Sequence, residues 1–261
     1  MRFLDIDLAG VKIILCGNYG DPIYHPSLPE LVRRLKNQDA RILIITNGSY
    51  KTAGWWRELT QVLDTRDVVT FSIDGLPENF TQYRINADWS SVRTGIEICS
   101  ESGIRSIWKF IPFVYNQQDI EHAAKLSRDL GMSEFQLDPS ARFDDKTLMY
   151  QPSSEALIST AKILQDDFKK GANLEVDPKC AHGSEHFVSA EGFYSPCCFV
   201  ADHRFYYTTE FGKNKKVYDI NKSTLTEVLA AKTTMEFYQN INRQPPGVCQ
   251  YSCPKFDAID Q

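Results

Sequence analysis

Short unbroken apolar runs alternate with longer amphipathic stretches over the first half of the chain. Residues 11–16, 41–46 (R-I-L-I-I-T), 68–73, 106–114 and 135–137 have strand length and are rich in β-branched and aromatic side chains. The stretches between them carry apolar residues three and four apart. Leu28, Leu31, Val32 and Leu35 do so within 27–36, followed by Trp55, Trp56, Leu59, Val62 and Leu63, and then by 89–102 and 118–130. Apolar strands alternating with amphipathic helices predict a parallel sheet covered by helices. Phe3, Leu4, Ile6 and Leu8 read as the last turns of a further helix ahead of the first strand.

Polar and glycine residues gather where these strands end, which is where such sheets bind ligands. Gly17-Asn18-Tyr19-Gly20-Asp21-Pro22 follows the first strand, Thr46-Asn47-Gly48 the second and Ser72-Ile73-Asp74-Gly75 the third, with Asn116 after the fourth. Gly17 and Gly20 let backbone approach a ligand closely. Asn18 and Asp21 offer polar groups, and Asn47, Ser72 and Asp74 suit ribose hydroxyls. Lys109 and Arg84 are cations that suit either a ligand carboxylate or an ion pair within the protein. No phosphate-binding glycine motif stands at a strand-to-helix turn, so the ligand implied is nucleoside-like.

The pattern changes after Pro139. Ser154 can cap a helix running to Lys170. Residues 187–195 read as a hairpin turning at Gly192, and Thr224 with Glu227 has capping-box spacing ahead of a last helix holding Leu225, Val228, Leu229 and Phe237. Two domains are therefore expected, at 1–148 and 149–261. Five of the seven cysteines lie in the second, at positions 180, 197, 198, 249 and 253. Cys180 and Cys197 flank the hairpin, and Cys249 and Cys253 sit in a loop opened by Pro245-Pro246. Four thiolates suit a [4Fe–4S] cluster or zinc. Cys198 is either a fifth ligand or a core neighbour of Cys197, while Cys16 and Cys99 read as packing residues. The histidines have no metal-binding spacing and are assigned no role.

A net charge of −5 argues against a general nucleic-acid or membrane-surface binder, and no apolar run approaches membrane-spanning length. Without a leader-like amino terminus, and with an odd number of cysteines, a cytoplasmic protein with thiol or metal-bound cysteines is expected.

In order and spacing, Cys16 to Pro22, Thr46-Asn47-Gly48, Phe71 to Gly75 and Trp108-Lys109-Phe110 with Asn116 resemble the radical S-adenosylmethionine family. The tail from Cys180 through Gly192 and Cys197 to Cys249 and Cys253 resembles its auxiliary-cluster extension of the SPASM/twitch type. The resemblance implies an α/β fold: a partial (β/α)6 TIM-like barrel and a small C-terminal cysteine-rich α+β extension. It implies that Gly17, Asn18, Tyr19, Gly20, Asp21 and Pro22 hold the methionyl amino group of S-adenosylmethionine. Thr46, Asn47, Ser72, Asp74 and Lys109 complete that site, with Asn47, Ser72 and Asp74 near the ribose. By the same resemblance Cys180, Cys197, Cys249 and Cys253 ligate an auxiliary [4Fe–4S] cluster. The activity implied is formation of a 5′-deoxyadenosyl radical that modifies a peptide or other biomolecule.

The chain departs from the family in one respect. The C-x-x-x-C-x-x-C that holds the catalytic cluster is absent, and at the spacing Cys249, Cys253, Phe256 the third position cannot ligate iron. A missing first strand is expected, supplied by an upstream segment or a separate chain. The 261 residues alone are expected to be inactive. A non-catalytic iron–sulfur or zinc-binding α/β protein is the alternative.

Overall fold

The computed structural model of the chain describes residues 6–17, 20–138, 140, 148–153, 179–182, 185–202, 206–246, 248, 249 and 253. The helix expected at 154–170, and Asn18 and Tyr19, lie outside the described residues. Two compact units are formed, one by residues 8–165 and one by residues 1–7 with 166–261.

The first unit holds a five-stranded sheet of β1 (Lys12–Leu15), β2 (Arg41–Thr46), β3 (Val68–Ser72), β4 (Arg105–Phe110) and β5 (Glu134–Leu137). The strands lie in sequence order and every neighbouring pair is parallel. Helices α1 (Leu28–Lys36), α2 (Ala53–Thr60), α3 (Trp89–Glu101) and α4 (Ile120–Asp129) fill the crossovers. A sheet that never reverses its strand order keeps winding one way, as a barrel does, and has no switch point of the doubly wound kind. The result is an α/β, partial TIM-like barrel with its loops collected at the carboxyl ends of the strands.

Local chemistry fixes these elements. Leu28, Val32 and Leu35 bury one face of α1, while Glu30 on the other pairs with Arg34 at 2.9 Å. The Thr52 hydroxyl caps α2, and the Asp88 carboxylate accepts from Ser91 N at 2.8 Å to cap α3. Trp56 of α2 is fully buried against Phe71 of β3, and a side chain at Gly95 of α3 would stand 2.5 Å from its ring. At the amino ends of the strands Asp67 is fully buried. It accepts from Ile42 N and Asp64 N, both at 2.7 Å, and pairs with Lys36 at 2.8 Å.

Three expectations need correction. Residues 6–10 are turn, not helix: Leu8 is buried, its carbonyl accepts from Val11 N at 2.9 Å, and Gly10 takes φ 71°. The fourth strand ends at Phe110 because the Ile111 amide leaves the ladder for the Asp74 carboxylate, at 2.9 Å. The last helix is two, α6 (Leu225–Ala230) and α7 (Lys232–Asn240), broken at Ala231, whose ψ is 137°. There the Thr234 hydroxyl donates to the Val228 carbonyl at 2.7 Å and satisfies the end of α6.

In the second unit β6 (Phe187–Val188) and β7 (Tyr194–Ser195) pair antiparallel about Gly192, whose φ is 89°. A short α5 (Glu210–Lys213) precedes α6, which begins with the expected capping box of Thr224 and Glu227. The core joins Tyr194, Phe211, Tyr218, Val228 and Ile241 with Cys180, Cys197 and Cys249. Among the described residues no helix is long and apolar enough to cross a membrane.

Candidate functional site

The rim at the carboxyl ends of β1 to β4 is tied together by its own polar side chains. Asp21 caps the 3-10 turn Pro22–Tyr24, one oxygen accepting from Ile23 N at 3.1 Å and the other from Asn47 N at 2.6 Å, so it joins the loops after β1 and β2. A Cβ at Gly17 would stand 2.0 Å from the Gly20 carbonyl, whereas one at Gly20 would meet open space. Gly17 is thus required by the turn itself, and Gly20 leaves room beside it. Thr46 is buried with its hydroxyl accepting from Gly48 N at 2.9 Å, and the Asn47 side-chain Oδ1 accepts from Ser49 N at 2.9 Å.

Ser72 is half-buried at the end of β3. Asp74, two residues on, is fully buried, with Arg84 Nε 2.8 Å from one oxygen and Ile111 N 2.9 Å from the other. Burial pushes its carboxyl above the ordinary range, outweighing the downward pull of Arg84 and the Ile111 amide. The Asp74 carbonyl accepts from Tyr115 Oη at 2.7 Å and from the Asn116 amide at 3.0 Å. Lys109 pairs with Asp138 at 2.7 Å.

A cleft of about 260 Å³ opens on this rim, lined by Tyr24, Asn47, Ser49, Tyr50 and residues 83–87. Tyr24, Tyr50 and Tyr83 present half-exposed rings to it. Tyr50 and Asn86 both hold left-handed backbone, φ 65° and 64°, and the Tyr50 hydroxyl donates to the Asn86 carbonyl. Such conformations cost a non-glycine residue on the order of 1 kcal/mol or more and collect at ligand sites. Of the rim residues singled out by sequence, Asn47 and Arg84 line this cleft. Tyr24, Tyr50, Tyr83 and Asn86 were missed; an aromatic residue after each strand-end turn was the available signal.

The second site is built from thiols. All seven cysteines are free. The Cys180 thiol stabilises negative charge on the Cys197 sulfur, and the tail cysteines Cys249 and Cys253 act electrostatically on Cys180, as Cys253 and Cys197 do on Cys249. Cys180, Cys197 and Cys249 are buried, and Cys253 N donates to the Cys249 carbonyl at 2.9 Å, closing the tail loop. Cys197 also accepts from Val200 N at 3.5 Å. The Cys180 thiol first, and then the backbone amides after Cys197, pull Cys197 down, while the pairing with Cys197 and then burial hold Cys180 up. Burial, then the neighbouring sulfurs, push Cys249 up to about 12. Four soft donors that repel one another when ionised suit a cationic centre that relieves the repulsion. Among the described residues no three His, Cys, Asp or Glu side chains form a shell that would hold one metal ion.

Cys198 is half-buried beside Cys197. Cys99 is buried in α3 as expected, but Cys16 is exposed at the end of β1 and is no packing residue.

Residues 3–127 match the sequence model of the Radical SAM superfamily, and residues 180–254 match that of SPASM, an iron–sulfur cluster-binding domain. Among solved structures, anSMEcpe with bound AdoMet is similar at a TM-score of 0.59 and 13% identity, over 93% of this chain and 72% of that one. The same enzyme with AdoMet and the Kp18Cys peptide gives 0.59 and 13% over 93% and 73%. SuiB of Streptococcus suis bound to S-adenosylmethionine gives 0.56 and 11% over 92% and 66%. These likenesses are of fold. No curated protein matches the chain.

Proposed function

Because the chain belongs to the radical SAM superfamily and carries a SPASM region, we propose that it binds S-adenosylmethionine at the rim, holds an auxiliary [4Fe–4S] cluster in its tail and serves radical modification of a peptide. The observation that carries this reading is the gathering of Cys180, Cys197, Cys249 and Cys253 in one compact unit. Four thiolates suit zinc as well as a [4Fe–4S] cluster, and the match of residues 180–254 to an iron–sulfur cluster-binding domain favours the cluster. Free thiols throughout suit a reducing, cytoplasmic setting.

At the rim, Gly20 leaves open space for a cofactor, and Asn47 with the tyrosines of the cleft offers amide, hydroxyl and ring surfaces for an amino-acid group, a ribose and a base. The family's cofactor pair supplies, when bound, a radical that abstracts hydrogen from substrate. The chain's own residues bind and orient: Asp21 fixes the loop that carries Gly20, and Asp74 with Arg84 fixes the loop over the cleft. Peptide as the substrate class is supported by the peptide-bound anSMEcpe structure.

The residues present do not fit the catalytic cluster. No C-x-x-x-C-x-x-C occurs, and Cys16 is a single thiol at the end of β1. Cleavage of the cofactor therefore needs a three-cysteine cluster from a further segment or a separate chain. These 261 residues bind without cleaving.

Anaerobic reconstitution with iron and sulfide, followed by metal analysis, tests the tail. About four irons per chain, lost in Cys180→Ala or Cys253→Ala, is the expected result. One zinc and no sulfide overturns it and leaves a zinc-binding α/β protein. Isothermal titration with S-adenosylmethionine tests the rim separately.

A further inference from the structure

The core around the thiols contains a second polar group with no part in holding metal. Tyr194 of β7 and Tyr238 of α7 meet hydroxyl to hydroxyl at 2.7 Å. His186 closes the set, its Nδ1 3.0 Å from the Tyr194 oxygen and 3.5 Å from that of Tyr238. Tyr194 is fully buried in the same core as Cys180, Cys197 and Cys249, while His186, just ahead of β6, reaches solvent. Burial, then the hydroxyl of Tyr238, pushes the Tyr194 phenol far up, and the sulfurs of Cys180 and Cys197 add to that shift. The same two sulfurs raise Tyr238, which is pushed up to about 12, chiefly by burial. Both phenols therefore stay protonated and lie within electrostatic reach of the thiols.

The donors in this set are interchangeable. With Nδ1 accepting, Tyr194 donates to His186 and Tyr238 donates to Tyr194; with Nδ1 carrying a proton, the direction reverses. Packing the core requires the rings but not their oxygens. The oxygens form a chain of dipoles that can re-aim, buried beside sulfur. Reduction of a thiolate-bound cluster adds negative charge in a medium of low dielectric, and dipoles free to turn their positive ends toward it stabilise the reduced state.

We propose that His186, Tyr194 and Tyr238 are positioning residues that raise the reduction potential of the centre held by the four thiols. The inference rests on the reading of that centre as an iron–sulfur cluster. It makes this hydroxyl chain the device that sets how readily the tail accepts an electron.

The test compares the wild-type chain with Tyr238→Phe, Tyr194→Phe, the double variant and His186→Gln after anaerobic reconstitution. Iron and sulfide content, the electron paramagnetic resonance signal of the reduced state and the midpoint potential are measured. Each phenylalanine removes one oxygen and keeps the ring. Unchanged iron with a more negative potential is expected in both single variants, with a larger shift in the double and a smaller one in His186→Gln. If Tyr194→Phe fails to fold, Tyr238→Phe, half-buried on α7, still decides. Full iron with an unshifted potential overturns this inference and leaves the cluster reading standing. Loss of iron in all the variants makes the group structural and overturns it too. One zinc and no sulfide overturns both readings, since zinc has no redox couple to tune.

Discussion

Arg84→Ala isolates the electrostatics of the rim. Asp74 is fully buried, and its carboxylate has two partners: Arg84 Nε at 2.8 Å and Ile111 N at 2.9 Å. Its carboxyl is already raised, since burial outweighs Arg84. A carboxyl raised on folding contributes its full stability below the unfolded value of about 3.9, and that contribution is lost as pH rises through the folded value. Removing Arg84 takes away the largest opposing pull and moves the folded value higher still. A buried carboxylate stripped of its cation costs about 3–5 kcal/mol. Arg84 is 27% exposed, so solvent already screens part of the pair and about 3 kcal/mol is expected at pH 7. Each unit of acidification inside the titration window returns up to about 1.4 kcal/mol as the carboxyl takes up its proton. Urea unfolding at pH 7 and pH 5, followed by circular dichroism, reads this directly. The loss should shrink by half or more at pH 5, and Asp74→Asn in the Arg84→Ala background should remove the pH dependence and recover stability at pH 7. An equal loss at both pH values, or a double variant no better than the single, refutes the argument.

Asp67→Ala leaves the Ile42 and Asp64 amides without their acceptor at the opposite end of the sheet and removes one of the two carboxylates paired with Lys36, and should cost about 3 kcal/mol by urea midpoint. Gly192→Ala places a Cβ 2.2 Å from the Asn221 amide at φ 89°; a loss of about 1–3 kcal/mol is expected by calorimetry. Thr224→Ala removes the capping box of α6 and should cost about 1 kcal/mol, with Thr224→Ser close to wild type. Arg66, then Lys36, holds Asp64 well below the carboxylate range, so its contribution is present at neutral pH and lost as acid passes below about 4. Asp64→Asn should flatten the acid limb of the stability curve by at most about 1 kcal/mol, because the group is partly exposed.

The central strands β2, β3 and β4 were the most legible, because a strand covered on both faces is largely apolar along its length, whereas β1 is partly exposed at Ile14 and β5 carries Glu134 and Gln136. Their ends were less so, because a side chain far along the chain decides them: Asp74 captures the Ile111 amide, and Thr234 satisfies the end of α6. The capping box of Thr224 and Glu227 was legible too, since it needs only a three-residue spacing. The cleft was not. Left-handed backbone at Tyr50 is held by bonds between distant segments, from its hydroxyl to the Asn86 carbonyl and from its amide to Ser91 Oγ at 2.7 Å. His186 was invisible for the same reason: its partners sit on β7 and α7, which only the tertiary fold brings together.

Most polar side chains on the rim are already engaged with one another. Asp21 bridges two loops, Thr46 and Asn47 brace the turn after β2, and Asp74 and Asn116 lock the ends of β3 and β4. Each such bond orders a loop before any ligand arrives. Ordering a rotamer-rich side chain costs about 0.5–1.5 kcal/mol on binding, and that cost falls away where the geometry exists beforehand. A carboxylate or carbonyl oxygen with one partner keeps a second lone pair, so engagement within the rim does not remove these groups from recognition. It does change how their loss would register. A variant at Asp21 would disturb the position of Gly20 and the Asn47 amide together, and its effect on cofactor affinity would report the shape of the rim more than one lost contact. Of the half-exposed tyrosines of the cleft, Tyr24 and Tyr83 contribute surface more than scaffold, so their removal should alter binding with little loss of stability, whereas Tyr50 also ties its loop to the Asn86 carbonyl.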